Sequence, residues 1–290
     1  MGSCNKQKSI AINLDIGDQL TSISCGHVVV ELIKFIAYQR LQIPYTYQWL
    51  KQIVTKKKMC EDEEKKDSFQ SERHFRIAST ALDNLDFILK SLLAEIGGPS
   101  TPEEVCIALG ATPVTCKEVY RLILPSAVHK PQCHSPHIAN DQKIQRNVFR
   151  TLVTSETLSQ VFFSSLPPTN MYVFIKKKNV SNQDEVVNPD NFVLTSGCRI
   201  PRNSRIVTLD FRSPNTENIS CCNDFHVFGD AISNNLENLQ IQENVDDYEE
   251  EFNEIESTDS LKWYQSSYVM KGFKDCTVNG SSVTNSWLES

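Results

Sequence analysis

Residues 28–44 read VVVELIKFIAYQRLQIP, and this run is apolar around most of a helical circumference. Such all-round apolarity is typical of a helix that packs inside a protein. Pro44 closes the run, because proline lacks an amide hydrogen and disfavours helix at the residue before it. We therefore predict a helix over residues 25–42. One stripe of this helix is mixed, and it comprises Glu31, Phe35 and Gln39 at i, i+4 and i+8.

Three further segments have helical periodicity. The clearest covers residues 72–96, where apolar side chains recur at spacings of three and four until Gly97-Gly98-Pro99 stops the helix. A shorter segment covers residues 47–54. The last covers residues 143–163, and its apolar side chains spread over more than half of the circumference. One face of this helix can pack on the protein, so the apolar side chains on its other faces indicate a partner or additional core.

Six short segments have the β-branched and aromatic composition of strands and are bounded by Pro, Gly or Asn. Their short connections favour antiparallel pairing. The sequence therefore indicates an α+β fold with an antiparallel sheet. The predicted strands are residues 105–109, 118–124, 171–175, 191–195, 205–211 and 261–273.

The charge of the chain is unevenly distributed. The chain has 290 residues, 40% of them hydrophobic, and a formal net charge of −7. Residues 243–256 carry eight acidic and no basic side chains, so the remainder has a net charge of +1. The acidic balance argues against nucleic-acid backbone binding as the main function. No run approaches the roughly 20 apolar residues that span a bilayer.

We predict one domain over residues 24–274. A flexible N-terminus (1–23) precedes it and a polar tail (275–290) follows it. Within it lie a charged loop at 55–71 and an acidic insertion at 212–258 that is expected to be disordered. The N-terminus has no apolar signal-peptide stretch, so the ten cysteines are expected to be reduced thiols in the cytosol or nucleus.

Cys133, His134 and His137 are candidate metal ligands in a Pro-rich tract. Zinc is usually held by two paired clusters, and no second pair completes this one. Cys133 or Cys25 would need a positioned His to act as a nucleophile, and no GxSxG, HExxH or P-loop motif frames such a site. The residues therefore favour protein interaction over catalysis, with a zinc-dependent enzyme as an alternative.

Residues 31–51 closely resemble the first helix of the comet family, the proteins that bind the mitotic-arrest-deficient-two checkpoint protein. The matching pattern is ELIKFIAYQRLQIP followed by Tyr47-Gln48-Trp49-Leu50-Lys51. Further matches are residues 92–124, Arg199-Ile200-Pro201 before the strand at 206–209, and Trp263-Tyr264-Gln265 with Lys271-Gly272-Phe273-Lys274. The resemblance covers residues 24–274 apart from the charged loop and the acidic insertion.

The resemblance implies a HORMA-like fold, with three main helices on a central antiparallel sheet and a C-terminal safety-belt strand. It implies an adaptor without enzymatic activity, cofactor, nucleic-acid partner or membrane partner. Such an adaptor binds the closed form of the checkpoint protein through a dimer-like interface and blocks its further conversion. It also presents the closed form to a hexameric AAA+ remodelling ATPase and so silences the spindle assembly checkpoint. In the family the ATPase-facing patch precedes Arg-x-Pro, where this chain reads Val193-Leu194-Thr195.

The implied localisation is nuclear and cytoplasmic, with spindle or kinetochore association in mitosis. The alternative function is that of a HORMA protein that captures a peptide closure motif under its own safety belt. In that case the last strand would be released and recaptured as the peptide binds.

The resemblance also implies partner-binding residues. The family's partner-facing Gln and Phe match Gln39 and Phe149. Phe35 is added because it shares the stripe of Gln39, and Arg150 and Leu152 are added from the helix of Phe149. The implied belt strand contains Trp263, Tyr264, Lys271, Gly272 and Phe273.

Overall fold

A computed structural model of the protein describes residues 9–14, 16, 20–60, 68–98, 100–125, 141–178, 191–212, 261–278 and 280–289. Over these residues the helices cover one face of a central sheet, which agrees with the expected HORMA-like arrangement. The helices are α1 (Ser22–Gln39), α2 (Tyr47–Cys60), α3 (Phe69–Gly97), α4 (Asp141–Thr154), α5 (Glu156–Phe163) and α6 (Val283–Glu289). The strands are β1 (Ser9–Asn13), β2 (Glu104–Gly110), β3 (Cys116–Ile123), β4 (Asn170–Lys178), β5 (Phe192–Thr195), β6 (Arg205–Asp210), β7 (Leu261–Ser266), β8 (Met270–Lys271), β9 (Thr277–Val278) and β10 (Ser281–Ser282).

The central sheet is mixed, so the prediction of an antiparallel sheet was wrong. Its strand order is β1-β6-β3-β2-β4-β7-β5, with β8 beside β4. β6 is parallel to both β1 and β3, whereas the other pairs are antiparallel. The prediction assumed that consecutive strands pair. Between β3 and β6, however, lie α4, α5, β4 and β5, and such a long crossover returns the chain in the same direction.

Side chains of the sheet alternate between two faces, as the pleat requires. On β2, Val105, Ile107 and Leu109 belong to the main core with α1 and α3. Cys106 and Ala108 point to the opposite face, where they join a second, smaller core. Every residue of β2 is buried for this reason, and the strand reads as a continuous apolar run.

The predicted first helix is confirmed as α1. Its N-terminus is a capping box, in which Thr21 Oγ1 accepts from the Ser24 N–H (3.1 Å) and Ser24 Oγ accepts from the Thr21 N–H (2.9 Å). At its C-terminus the Gln42 N–H donates to the Ala37 carbonyl (2.8 Å). Leu41 adopts φ +54° there, the left-handed conformation that glycine usually supplies.

The helix predicted over residues 143–163 is divided in two by Ser155. This residue has extended backbone angles, and its Oγ accepts from the Leu158 N–H (3.3 Å), so that it starts a new helix. The predicted charged loop at 55–71 is also shorter than expected, since α2 continues to Cys60 and α3 starts at Phe69. Residues 61–67, and the acidic insertion apart from Arg212, lie outside the described residues.

Both chain ends include folded elements that were predicted as a flexible terminus and a polar tail. β1 pairs along β6 from Ser9 to Asn13, and its alternating sequence SIAIN is that of a short half-buried strand. At the other end, α6 packs on α2 and α3. Its Trp287 is 1% exposed, and Val283 and Thr284 of the same helix are also buried.

Trp287 occupies a pocket between α2, α3 and the C-terminal segment. Its Nε1–H donates to Ser71 Oγ (2.9 Å). Its ring packs edge-on against Phe75 (5.4 Å between centroids) and beside His74 (5.4 Å). His74 Nε2 in turn lies 3.0 Å from Thr284 Oγ1 and 3.2 Å from Asp275 Oδ1. The C-terminal segment is therefore held by aromatic packing and by buried polar contacts.

The predicted belt residues lie in β7, in β8 and in the turn after β8. Trp263 and Tyr264 are in β7, which pairs with both β4 and β5. The Gly272 N–H donates to the Thr169 carbonyl (2.8 Å), and the Phe273 N–H donates to the Gln42 carbonyl (3.0 Å). A Cβ at position 272 would lie 2.7 Å from the backbone oxygen of Thr169, so this crossing requires glycine.

We expect Trp287→Ala to lower the free energy of unfolding by about 3–5 kcal/mol, the usual cost of removing a buried Trp. Urea denaturation measures this change. Trp49→Ala is the matched control, because Trp49 is 41% exposed and its removal leaves a smaller cavity. Equal losses for the two variants would contradict the anchoring role of Trp287.

Stability is expected to fall as the pH drops below about 6.5. Burial lowers the pKa of His74 from its ordinary value of 6.5, and this effect exceeds the opposing effect of the Asp275 carboxylate. The unfolded chain then binds a proton that the folded chain excludes, so the penalty develops downward from 6.5 to the lowered pKa. Urea denaturation across this range checks the slope, and His74→Gln should flatten it.

Candidate partner-binding surface

Three phenylalanines from three helices meet at one surface. The ring of Phe35 on α1 lies 5.5 Å from that of Phe149 on α4 and 5.8 Å from that of Phe162 on α5, both in edge-on geometry. All three side chains are half-buried and pack on the main core. We refer to Phe35, Phe149 and Phe162 as the aromatic cluster. The structure therefore brings together two predicted partner-binding residues, Phe35 and Phe149.

Exposed apolar side chains continue from the helices that carry the aromatic cluster. Phe163 is 89% exposed and Val153 is 68% exposed. They belong to α5 and α4, the two halves of the helical region whose apolar surplus indicated a partner. Large apolar side chains that are exposed on neighbouring helices indicate a candidate interaction surface. The sequence located this surplus by region, but it did not identify Phe163.

The other predicted partner-binding residues have different environments. Gln39 is half-buried on α1, one turn after Phe35, and Arg150 is exposed on α4. Leu152 is 2% exposed and belongs to the main core, so its prediction as a partner-contacting residue is corrected. It was misassigned because Phe149 and Leu152 are three residues apart and share a helical face, and their different depths depend on the packing beneath them.

Arg40 was not predicted, yet it connects the helices of this surface. Its side chain is 1% exposed and forms a bidentate ion pair with Glu118 of β3 (Nε–Oε2 2.8 Å, Nη2–Oε1 2.9 Å). It also donates to the carbonyl oxygens of Val161 (3.2 Å), Phe162 (3.3 Å) and Ser164 (2.9 Å). These are terminal carbonyls of α5, where a cation is favourable.

Glu118 has further donors. Tyr120 donates its hydroxyl hydrogen to Glu118 Oε2 (3.0 Å), and Arg205 of β6 lies 3.3 Å from Oε1. Burial raises the pKa of Tyr120, so its phenol stays protonated and remains a donor. The sequence does not single out this pair, because Glu31 and Lys34 precede Arg40 on the same helix and Glu118 lies between Lys117 and Arg121. The pairing depends on which side chains the fold buries together.

Leu41 has an uncommon conformation for its residue type. It adopts φ +54°, and its side chain is 58% exposed. A left-handed conformation costs a non-glycine residue about 1–2 kcal/mol, and glycine would avoid this cost. The chain thus keeps an apolar side chain on the surface at a strained position, immediately after Arg40.

A metal site and a membrane-spanning helix are both absent from the described residues. No group of three His, Cys, Asp or Glu side chains in these ranges could hold a metal ion. Cys133, His134 and His137 lie outside the described part of the chain. No helix within the described ranges is long and apolar enough to span a bilayer.

A family model described as p31comet, Mad1 and Cdc20-bound-Mad2 binding, matches residues 12–192. This chain belongs to the p31comet family. The match contains α1, α4 and α5, and therefore every helix of the surface described above. It ends at the first residue of β5, so β6, β7 and α6 lie beyond it.

A mouse protein named MAD2L1-binding protein is 34% identical to this chain over 101 residues. The alignment covers 34% of this chain and 36% of the mouse protein. The chain therefore spans about a third of the length of this mouse relative.

We expect Arg40→Leu to lower the free energy of unfolding by about 3–5 kcal/mol, because it leaves the buried Glu118 without its main counter-charge. Lys34→Ala is the matched control on the same helix. It breaks the more exposed Lys34–Glu31 pair (2.7 Å), and we expect a loss of at most about 1 kcal/mol. Chemical denaturation measures both, and similar losses would contradict the structural role of Arg40.

Proposed function

We propose that this protein is a non-enzymatic adaptor that binds Mad2 through the surface formed by α1, α4 and α5. Three observations support the proposal: membership of the p31comet family, the name of the mouse relative, and the exposed apolar side chains beside the aromatic cluster. The last of these carries most weight, because Phe163, at 89% exposure, contributes little to the core of this chain.

The physical character of the surface suits a protein partner. Binding energy is usually concentrated in a few aromatic anchors that become fully desolvated. Phe163, at 89% exposure, would serve as such an anchor, and the half-buried Phe149 would add a second aromatic contact. The amide of Gln39 can donate and accept across a buried contact, and the exposed guanidinium of Arg150 suits the polar rim.

We further propose that the bound form is the closed, ligand-bound form of Mad2. The expected dimer-like interface would place the α1, α4 and α5 surface against corresponding helices of Mad2. Bound in this way, the protein would block further conversion of Mad2, present it to a hexameric AAA+ ATPase and silence the spindle checkpoint. It would act in the nucleus and cytoplasm and at the spindle or kinetochore.

The contact with the ATPase is proposed on the strand β5. The family resemblance places this contact just before Arg199-Ile200-Pro201. There, Val193 and Leu194 of β5 are 54% and 57% exposed. This apolar pair lies on a strand, whereas the proposed Mad2 surface lies on α1, α4 and α5. The separation would allow both partners to bind at the same time.

We propose that β7 is the safety-belt strand of this chain. It pairs with β4 along Lys178–Phe174 and with β5 along Phe192–Thr195, so the position of a captured peptide strand beside β4 is filled by the chain itself. The segment after β7 is held in place by the backbone hydrogen bonds of Gly272 and Phe273 and by the burial of Trp287. These contacts favour the adaptor over the alternative of a protein that captures a closure motif.

Binding of purified closed and open Mad2, measured by calorimetry, tests the proposal. We expect Phe163→Ala to weaken binding of the closed form roughly 30-fold or more, which corresponds to about 2 kcal/mol for a buried aromatic anchor. The double variant Phe149→Ala/Gln39→Ala should weaken it at least as strongly. Phe163 is so exposed that its removal should leave the unfolding midpoint unchanged.

Phe69→Ala is the matched control, because Phe69 on α3 is 79% exposed and lies outside the proposed surface. Its affinity for Mad2 should equal that of the wild type. An equal loss for Phe69→Ala and Phe163→Ala, or no loss for either while the wild type binds, would contradict the assignment of the surface.

A further inference from the structure

The outer face of the sheet, opposite the helices, carries a pair of cysteines. Cys106 of β2 is 1% exposed, and Cys198 lies half-buried in the segment at 196–204 that connects β5 to β6. Their sulfur atoms are 3.4 Å apart. They share the second core with Ile200 and Trp263, so the segment covers this face with a small apolar contact.

The two thiols have different environments. A hydrogen bond from the Cys106 thiol lowers the pKa of Cys198, and the same contact, together with burial, raises the pKa of Cys106. Cys198 is therefore the thiol that ionises first, and it is also the more exposed of the two. A thiolate with partial solvent access beside a second thiol is the arrangement found at oxidation-sensitive sites.

We propose that Cys106 and Cys198 form a modification site at which hydrogen peroxide converts the two thiols to a disulfide. The Cys198 thiolate attacks one peroxide oxygen, the O–O bond breaks, and hydroxide leaves and takes up the thiol proton as water. Cys198 is then a sulfenic acid. The Cys106 sulfur attacks the Cys198 sulfur, the S–S bond forms, the S–O bond breaks, and the oxygen leaves with the Cys106 proton as a second water. Two electrons pass from the thiols to one peroxide.

The geometry requires a modest movement. A disulfide has sulfur atoms about 2.05 Å apart, so the thiols must approach by a little over an ångström. Cys106 is fixed in the centre of the sheet. Cys198 follows Gly197 within the connecting segment at 196–204. Most of the movement therefore falls on the segment, which the bond would fasten onto the outer face.

Other described cysteines are poorer candidates. Burial raises the pKa of Cys25 to about 12, so this thiol stays protonated within the main core. Burial also raises the pKa of Cys116, whose sulfur lies 3.6 Å from the hydroxyl of Ser204. Cys116 is the nearest competitor of Cys106, because it shares the same outer face.

Peptide mapping of the full chain after treatment with hydrogen peroxide tests the proposal. Trypsin releases residues 91–117, which contain Cys106 and Cys116, and residues 179–199, which contain Cys198. In wild-type protein we expect these two peptides to be joined, with a loss of two alkylatable thiols per chain. Cys106→Ser and Cys198→Ser should each abolish the joined peptide, whereas the matched control Cys116→Ser should retain it.

Limited proteolysis of the native protein provides a second measurement. Arg199 and Arg202 are exposed cleavage sites in the segment. Oxidation should slow cleavage there in wild type and in Cys116→Ser, but not in Cys198→Ser, and dithiothreitol should reverse the effect. Absence of the joined peptide, its persistence in Cys106→Ser, or joining of Cys198 to another peptide would each overturn the proposal.

Discussion

The ion pair between Arg40 and Glu118 connects α1 to β3, and Arg40 also holds the end of α5, so it links the elements beneath the proposed Mad2 surface. Arg40 comes from the end of α1, Glu118 from β3, and the remaining donors of Arg40 point at the last carbonyls of α5. Removing two charges from water is costly, and the cost is offset here because the guanidinium and the carboxylate are both surrounded by partners. As a result α5 is fixed against α1, and the aromatic cluster of Phe35, Phe149 and Phe162 has a defined geometry. Phe163 follows directly from this cluster, so the orientation of the exposed anchor depends on a contact beneath the surface.

The two faces of the central sheet serve different purposes. The face with α1 and α3 holds the main core and supports the proposed Mad2 surface. The outer face has the second core, which includes Trp263 of β7 and is covered by the segment at 196–204. This cover is thinner than the helical layer on the other face. The paired thiols of Cys106 and Cys198 therefore lie on the face that solvent reaches more easily. The proposed Mad2 surface and the proposed thiol site therefore lie on opposite faces of one sheet.

Much of the fold could be predicted because its periodicity is strong. The first helix, the central helix and the main strands follow from apolar spacing. Phe149 was predicted through the family resemblance, and Phe35 through the helical stripe that it shares with Gln39. The parallel pairing of β6 could not be predicted from connection lengths, since it depends on which strands the crossover brings together. The docking of α6 was missed for a related reason: in the sequence Trp287 is one apolar residue in a polar tail, and its pocket of Ser71, His74 and Phe75 lies more than 200 residues away. Burial likewise separates Phe149 from Leu152, although the two share a helical face.

The position of β7 has a consequence for how the chain matures. β7 lies between β4 and β5, so the sheet is completed by residues 261–266, near the end of the chain. Until those residues emerge from the ribosome, β4 presents an open edge and β5 lacks the strand with which it pairs. Such late, distant pairing is slow compared with local helix formation, and an exposed strand edge is a site of unwanted association. In a nascent chain, α1, α2 and α3 can therefore pack together before β7 has formed, and the edge of β4 stays open to unwanted association until β7 pairs with it.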